Sequence, residues 1–306
     1  METNKRLTVT PAPHIRTKAS TTSIMLDVII ALIPTLIASI YIFGFRALIM
    51  VLVAVASCVG AEVLSQKAMK RPIRVSDLSA VVTGLILGLN LPEQMPYWMI
   101  IFASVFSIVI VKEMFGGIGN NFINPAAAGR ALLLVSWPEV MGNYTIHGVT
   151  TATPLSGKPF DLMSMFLGNI PGVMGEVSKV AILIGLVYLL VRGVINIRIP
   201  AVYMLTIAVF FLLLGYDAED TLYQLLAGGA LFGAVFMLTD YSSSPTAPLA
   251  QIIYAAGAGI ITVVIRVWGA FPEGVVFSIL LMNVMTPLLD KLVRENTFGK
   301  KEAKNE

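Results

Sequence analysis

Ten apolar runs dominate the chain, at about 24–44, 46–65, 78–92, 97–114, 122–138, 175–194, 199–215, 221–239, 248–268 and 273–293. Most are close to the roughly 20 residues that carry a helix across a bilayer. Hydrocarbon offers no partner to a bare N–H or C=O, so each run must satisfy its own backbone as a helix. The fold class expected is therefore an all-α polytopic membrane protein. Composition agrees: 57% of residues are hydrophobic and 13% are Asp, Glu, Lys or Arg, against about 25% charged in a soluble domain. The third run is short and ends in "LNLP", which predicts a broken or half-length helix. The fifth opens on "NFINPAAAG", so its polar start is expected to be partly unwound.

Positive charge sorts these runs into an orientation. Lys5, Arg6, Arg16 and Lys18 precede the first, and Lys67, Lys70, Arg71 and Arg74 follow the second. Lys112 closes the fourth, Arg192 and Arg198 sit between the sixth and seventh, and Lys291, Arg294, Lys300, Lys301 and Lys304 lie at the tail. With ten alternating spans all of these fall on one face. The other face holds "GYDAED" and Glu93, with Arg46, Lys158 and Arg266 as its few cations. The positive-inside rule then puts both termini in the cytoplasm of a bacterial inner membrane. Segments 1–23 and 294–306 are read as cytoplasmic, and the loop 139–174 as extracytoplasmic.

Several function classes are disfavoured. A net charge of +3 is too small to suggest nucleic acid. The one cysteine, Cys58, lies in an apolar run and reads as inert packing; alone it makes no disulfide or iron–sulfur site. Two histidines, His14 and His147, are too few and too far apart for a metal cluster. The polar first 20 or so residues do not read as a cleaved signal peptide. No dinucleotide-binding glycine fingerprint is present. The "NYT" at Asn143 matches a glycosylation sequon by chance in a bacterial membrane.

Residues 24–138 and 175–293 read as two five-span copies, the second inverted because five is odd. Gly84 and Gly88 of "GLILGLNLP" match Gly229 and Gly233 of "GALFGAVFMLTD", and small residues four apart let helices approach closely. Repeats of this kind place sites near interrupted helices.

Two polar stretches then stand out. The outer loop holds "HGVTTATPL", with Thr150, Thr151 and Thr153. A threonine can cap a helix, form a turn or accept a covalent group. Pro154 disfavours helix at Thr153 and holds it extended, so an exposed, enzyme-accessible side chain is expected there. The inner loop "EMFGGIGNNFINP" holds Asn121 and Asn124. Asn124 followed by Pro125 reads as a helix N-cap, and asparagine also offers donors and an acceptor to a heterocycle.

These stretches carry a resemblance. "TTATPL", "GGIGNNFINPAAAGRALL" and the opening "PAPHIRTKASTTSIMLDVIIALIP" together resemble the family of Rnf D and Nqr B subunits, over the whole chain. The resemblance implies FMN joined through its phosphate to Thr153, with Thr150 and Ala152 in the preceding motif positions. The usual form has Gly where Thr151 stands and Asp where His147 stands. It implies a non-covalent riboflavin at Asn121 and Asn124, and an electron route across the membrane coupled to sodium or proton movement. The A, B, C, E and G subunits of an Rnf complex and a flavin transferase are the implied partners. A sodium-pumping NADH:quinone reductase component of the Nqr B kind, or a non-redox transporter or channel with inverted repeats, are the rival readings.

Arg130, early in the fifth run, is costly in lipid. It is expected to face the interior, toward a cofactor, an acidic partner or helix-end carbonyls. Asp27, Glu62, Asn90, Asp240 and Asp290 are candidates for an ion path, with Asp240 first. Solvated or snorkelling charges near the inner ends are the plainer reading for most of them.

Overall fold

The computed structural model describes residues 20–146, 149–150, 153–156, 160–269 and 273–293. Every one of the ten expected runs is a helix or a pair of helical pieces, so the protein is a helical polytopic membrane protein. In the first half these are α1 (Thr21–Phe43), α2 (Phe45–Ala68), α3 (Ser79–Leu89), α4 (Tyr97–Val105) and α5 (Pro125–Ser136). After α4 the chain runs on in wide π-type turns through Phe106–Glu113. Short helices α6 (Pro138–Met141) and α7 (Leu162–Leu167) flank a two-residue ladder, in which β1 (Thr145–Ile146) pairs antiparallel with β2 (Val149–Thr150). The second half holds α8 (Lys179–Val191), α9 (Arg198–Leu213), α10 (Ala218–Leu226), α11 (Ala230–Phe232), α12 (Pro248–Trp268) and α13 (Val275–Leu292).

Local chemistry explains the boundaries. Ser20 and Ser23 form a reciprocal capping box that starts α1. A single residue, Gly44 at φ +78°, separates α1 from α2, and that backbone region favours glycine. Among the described residues, four helices are long and apolar enough to cross a membrane alone: α1, α2, α12 and α13. The third run is indeed half-length, at 11 residues. The eighth is broken: α10 and the stretch Ala230–Met237 meet at a 64° bend.

These two interrupted spans form the centre of the molecule. Asn90, at the end of α3, donates to the Met237 thioether at 3.3 Å. Helix α1 packs against α8, α5 against α13, α2 against α3 and α4, and α9 against α12. Gly84 and Gly88 work as expected, because a Cβ on Gly84 would stand 2.6 Å from the Val55 Cα of α2, and one on Gly88 3.0 Å from the Val51 Cα. Their matches meet other neighbours: a Cβ on Gly233 would stand 2.6 Å from Val275 of α13, and one on Gly229 would run into the Glu176 carboxylate. The glycine correspondence therefore covers close approach as such, and the surfaces approached differ.

Candidate functional site

Two polar centres lie toward opposite ends of α3 and α8, one by Ser79 and Leu189 and the other by Asn90 and Lys179. The first is a cavity of about 780 Å³, counting the open space at its mouth. Asn121, Asn124 and Asp240, three residues singled out in the sequence, all line it. Its sides are apolar (Met25, Val82, Ile86, Leu189, Phe236), and Ser79, Thr83, Lys112, Thr239 and Ser242 add polar groups.

Local folding aims the two asparagines. The loop before them turns on Gly116, Gly117 and Gly119, with φ of +118°, +89° and +83°, which only glycine adopts at little cost. Asn124 caps α5 by accepting from Ala127 N at 3.1 Å, while its amide donates to the Met237 carbonyl at 3.2 Å. Its backbone N–H donates to Asn283 Oδ1 of α13 at 3.0 Å. The cap expectation therefore holds, and the same side chain ties the cavity wall to the second half. Asn121 donates to the Ile123 carbonyl at 3.1 Å and accepts from Ser242 Oγ at 2.7 Å. Asp240 accepts from Ser242 N at 3.3 Å and Ser243 Oγ at 3.0 Å. Burial pushes its carboxyl above the usual range, against the opposing pull of those hydrogen bonds.

Lys112 was not singled out as a site residue, because it reads as a loop charge closing the fourth span. It is in fact buried, ion-paired with Glu62 and 2.6 Å from Ser79 Oγ. The snorkelling expectation is likewise corrected: Asp27, Glu62 and Asn90 are all buried. Asp27 pairs with Arg192 at 3.0 Å and accepts from Tyr188 at 2.9 Å. These charges pair across helices because hydrocarbon gives no alternative partner.

The second centre surrounds Arg130. Its guanidinium pairs with Glu176 at 2.7 Å and with Glu273, and donates to the Asn90 carbonyl and side-chain oxygen at 2.8 and 2.7 Å. Tyr144 donates to Glu273 at 2.7 Å. Arg130 thus faces acidic partners and a helix-end carbonyl, as two of its three expectations have it. It lines the cavity shared by Asn90, Glu176 and Glu273, and not the one that Asn121 and Asn124 line. Arg266 donates to the carbonyls of Gln224 and Ala227 at 2.5 and 2.9 Å, where the end of α10 leaves acceptors unpaired.

Thr153 belongs to this second centre. It lines a cavity of about 270 Å³ with Glu176, Lys179, Gly228 and Glu273. It is not helical, as Pro154 requires. The expectation of exposure is corrected: Thr153 is only 7% exposed. Its segment packs inward, with the Pro154 carbonyl accepting from Tyr223 at 3.2 Å. Thr151, Ala152 and His147 lie outside the described residues. The two centres are joined by contact, from Asn124 through Met237 and Asn90 to Arg130.

Comparison with known proteins bears on this geometry. The model of the NQR2, RnfD, RnfE family matches residues 8–299. The chain belongs to that family. Among its relatives is the D subunit of a Na(+)-translocating ferredoxin:NAD(+) oxidoreductase complex of Acetobacterium woodii, 49% identical over 97% of this chain and 98% of the relative. The D subunit of a proton-translocating ferredoxin:NAD(+) oxidoreductase complex of Clostridium ljungdahlii is 37% identical over 95% and 96%. The D subunit of an ion-translocating oxidoreductase complex of Stutzerimonas stutzeri is 33% identical over 92% and 93%. Family members thus carry names with different ions, so membership alone does not fix the ion.

Proposed function

We propose that this chain is the D-type membrane component of an ion-translocating ferredoxin:NAD oxidoreductase complex. It passes electrons between a riboflavin held in the large cavity and an FMN carried on Thr153. The flavins supply the redox chemistry, and the protein positions them and sets their surroundings. The carrying observation is the convergence of Asn121, Asn124 and Asp240 on one cavity of about 780 Å³ with apolar sides and a polar end. Such a lining suits a ring system with a hydrogen-bonding edge. Asn121 and Asn124 would face that edge, and Lys112 and Asp240 are ionisable groups beside it. At the other centre, Thr153 and Lys179 line one cavity.

In this reading the inner cavity faces the cytoplasm and the Thr153 loop the opposite compartment. The two five-span halves then relate by inversion. The matched cations support this. Lys112 ends the fourth span and reaches Ser79 at the start of α3, five residues before Gly84. Arg266 ends the ninth and reaches Gln224, five residues before Gly229. The A, B, C, E and G subunits bring the ferredoxin and NAD chemistry, and a flavin transferase modifies Thr153.

The test is direct. The purified chain, co-expressed with a flavin transferase, should give a fluorescent band on a denaturing gel, and Thr153→Ala should be dark. Asn121→Ala combined with Asn124→Ala should lower the riboflavin released by acid. A dark wild-type band, or unchanged riboflavin, refutes the corresponding site.

A further inference from the structure

The second centre carries more positive than negative charge. Three cations, Arg130, Lys179 and Arg266, and two carboxylates, Glu176 and Glu273, are the charged residues described along its two adjoining cavities. The cations are not equally matched. Arg130 is paired with both carboxylates. Arg266 is held by two carbonyls at the end of α10, where the helix dipole is negative. Lys179 is 1% exposed, and its ammonium donates to the Glu176 backbone carbonyl. Among the described residues it forms no ion pair.

Its position makes this worse. Lys179 is the first residue of α8, after the Ser178 cap. A helix start is the positive end of the dipole and favours anions. A buried lysine there opposes both the dipole and the desolvation cost of its own charge. Places where a sequence breaks a local rule without compensation tend to be functional. The carboxylate that attracts it, Glu176, is already held by Arg130, so full compensation calls for a further anion in the cavity that Lys179 shares with Thr153.

We propose that Lys179 is the positioning countercharge for a phosphodiester monoanion on Thr153. The inference rests on the FMN reading of Thr153 and adds the residue that receives the phosphate. A phosphodiester contributes one negative charge, which matches the one cation in excess. Modification of Thr153 would then complete the charge balance of the centre and stabilise it.

The test is a thermodynamic cycle read by thermal unfolding of the purified chain. Protein is prepared with and without co-expressed flavin transferase, and FMN on Thr153 is checked by mass spectrometry. In the native sequence, modification should raise Tm by about 2 °C or more, which for a chain of this size corresponds to roughly 1 kcal/mol. In Lys179→Gln that rise should vanish, and Lys179→Arg should restore it. A lysine with a merely structural role would lower both Tm values equally and leave their difference intact, which overturns the assignment. Should Lys179→Gln fail to fold, Thr153→Asp and Thr153→Asn are compared without transferase. The aspartate should be the more stable, and equal or lower stability overturns the proposal. Absence of FMN from native Thr153 would refute the outer-flavin reading and this inference together. FMN present with an unchanged Tm difference in Lys179→Gln would refute this inference alone.

Discussion

Replacing Arg130 by methionine should be among the most damaging single changes in the chain. Its guanidinium is 1% exposed, and the two carboxylates it pairs with are 6% and 12% exposed. Removing one partner of a buried pair leaves an uncompensated charge and costs about 3–5 kcal/mol. The two contacts do not double that figure, because a stranded carboxyl can take up a proton. The change also strips the Asn90 carbonyl and side-chain oxygen of their donor, at the junction of the two interrupted spans. At the low end of about 2–4 °C per kcal/mol for larger domains, Tm should fall by roughly 6–10 °C. Thermal unfolding in detergent reads this directly. The double variant Arg130→Met with Glu273→Gln removes one charge of each sign and leaves Glu176 beside Lys179. It should recover at least half of the loss. An Arg130→Met protein as stable as the parent, or a double variant no better than the single, would refute the electrostatic account of this centre.

Three other outcomes follow from the same structure. Gly84→Ala places a methyl 2.6 Å from the Val55 backbone and should cost about 1–3 kcal/mol by overpacking, whereas Gly60→Ala, with nothing within 4 Å, should be neutral or slightly stabilising; equal Tm values for the two would contradict the packing of α2 on α3. Asn124→Ala removes a helix cap worth about 1 kcal/mol together with the link to Met237, so it should lower both Tm and bound riboflavin, while Asn120→Ala, in the exposed loop, should change neither. The raised carboxyl of Asp240 favours the protonated form in the fold, so its stabilising effect is complete below the ordinary carboxylate range and is lost as pH rises through the raised value; the native chain should therefore lose Tm relative to Asp240→Asn over that rise, and parallel curves would count against it.

Much of this architecture was legible in the residues. Apolar length alone located all ten runs, because a bilayer admits few alternatives to a helix. The half-length third run was marked by "LNLP" and the unwound start of the fifth by Asn124 and Pro125. The cap at Asn124 was legible from the proline after it, whereas only the family resemblance singled out Asn121 and Asn124 together, which line one cavity. Asp240 joined them only through a fold that brings the eighth span beside the fifth. The ion pairs were not legible. Lys112 and Glu62, or Arg130 and Glu273, are distant in sequence, and pairing across helices leaves no local pattern. Thr153 was misjudged as exposed for a related reason. Its local signal, a proline after it, fixes backbone shape and says nothing about what packs over it.

The central claim is that the two centres face opposite compartments. Single cysteines placed at Asn120 and at Asp161, both exposed, in a Cys58→Ser background, can be probed with a membrane-impermeant maleimide. In intact spheroplasts Asp161→Cys should label and Asn120→Cys should not, until the membrane is permeabilised. Labelling of both from the same side would contradict the account.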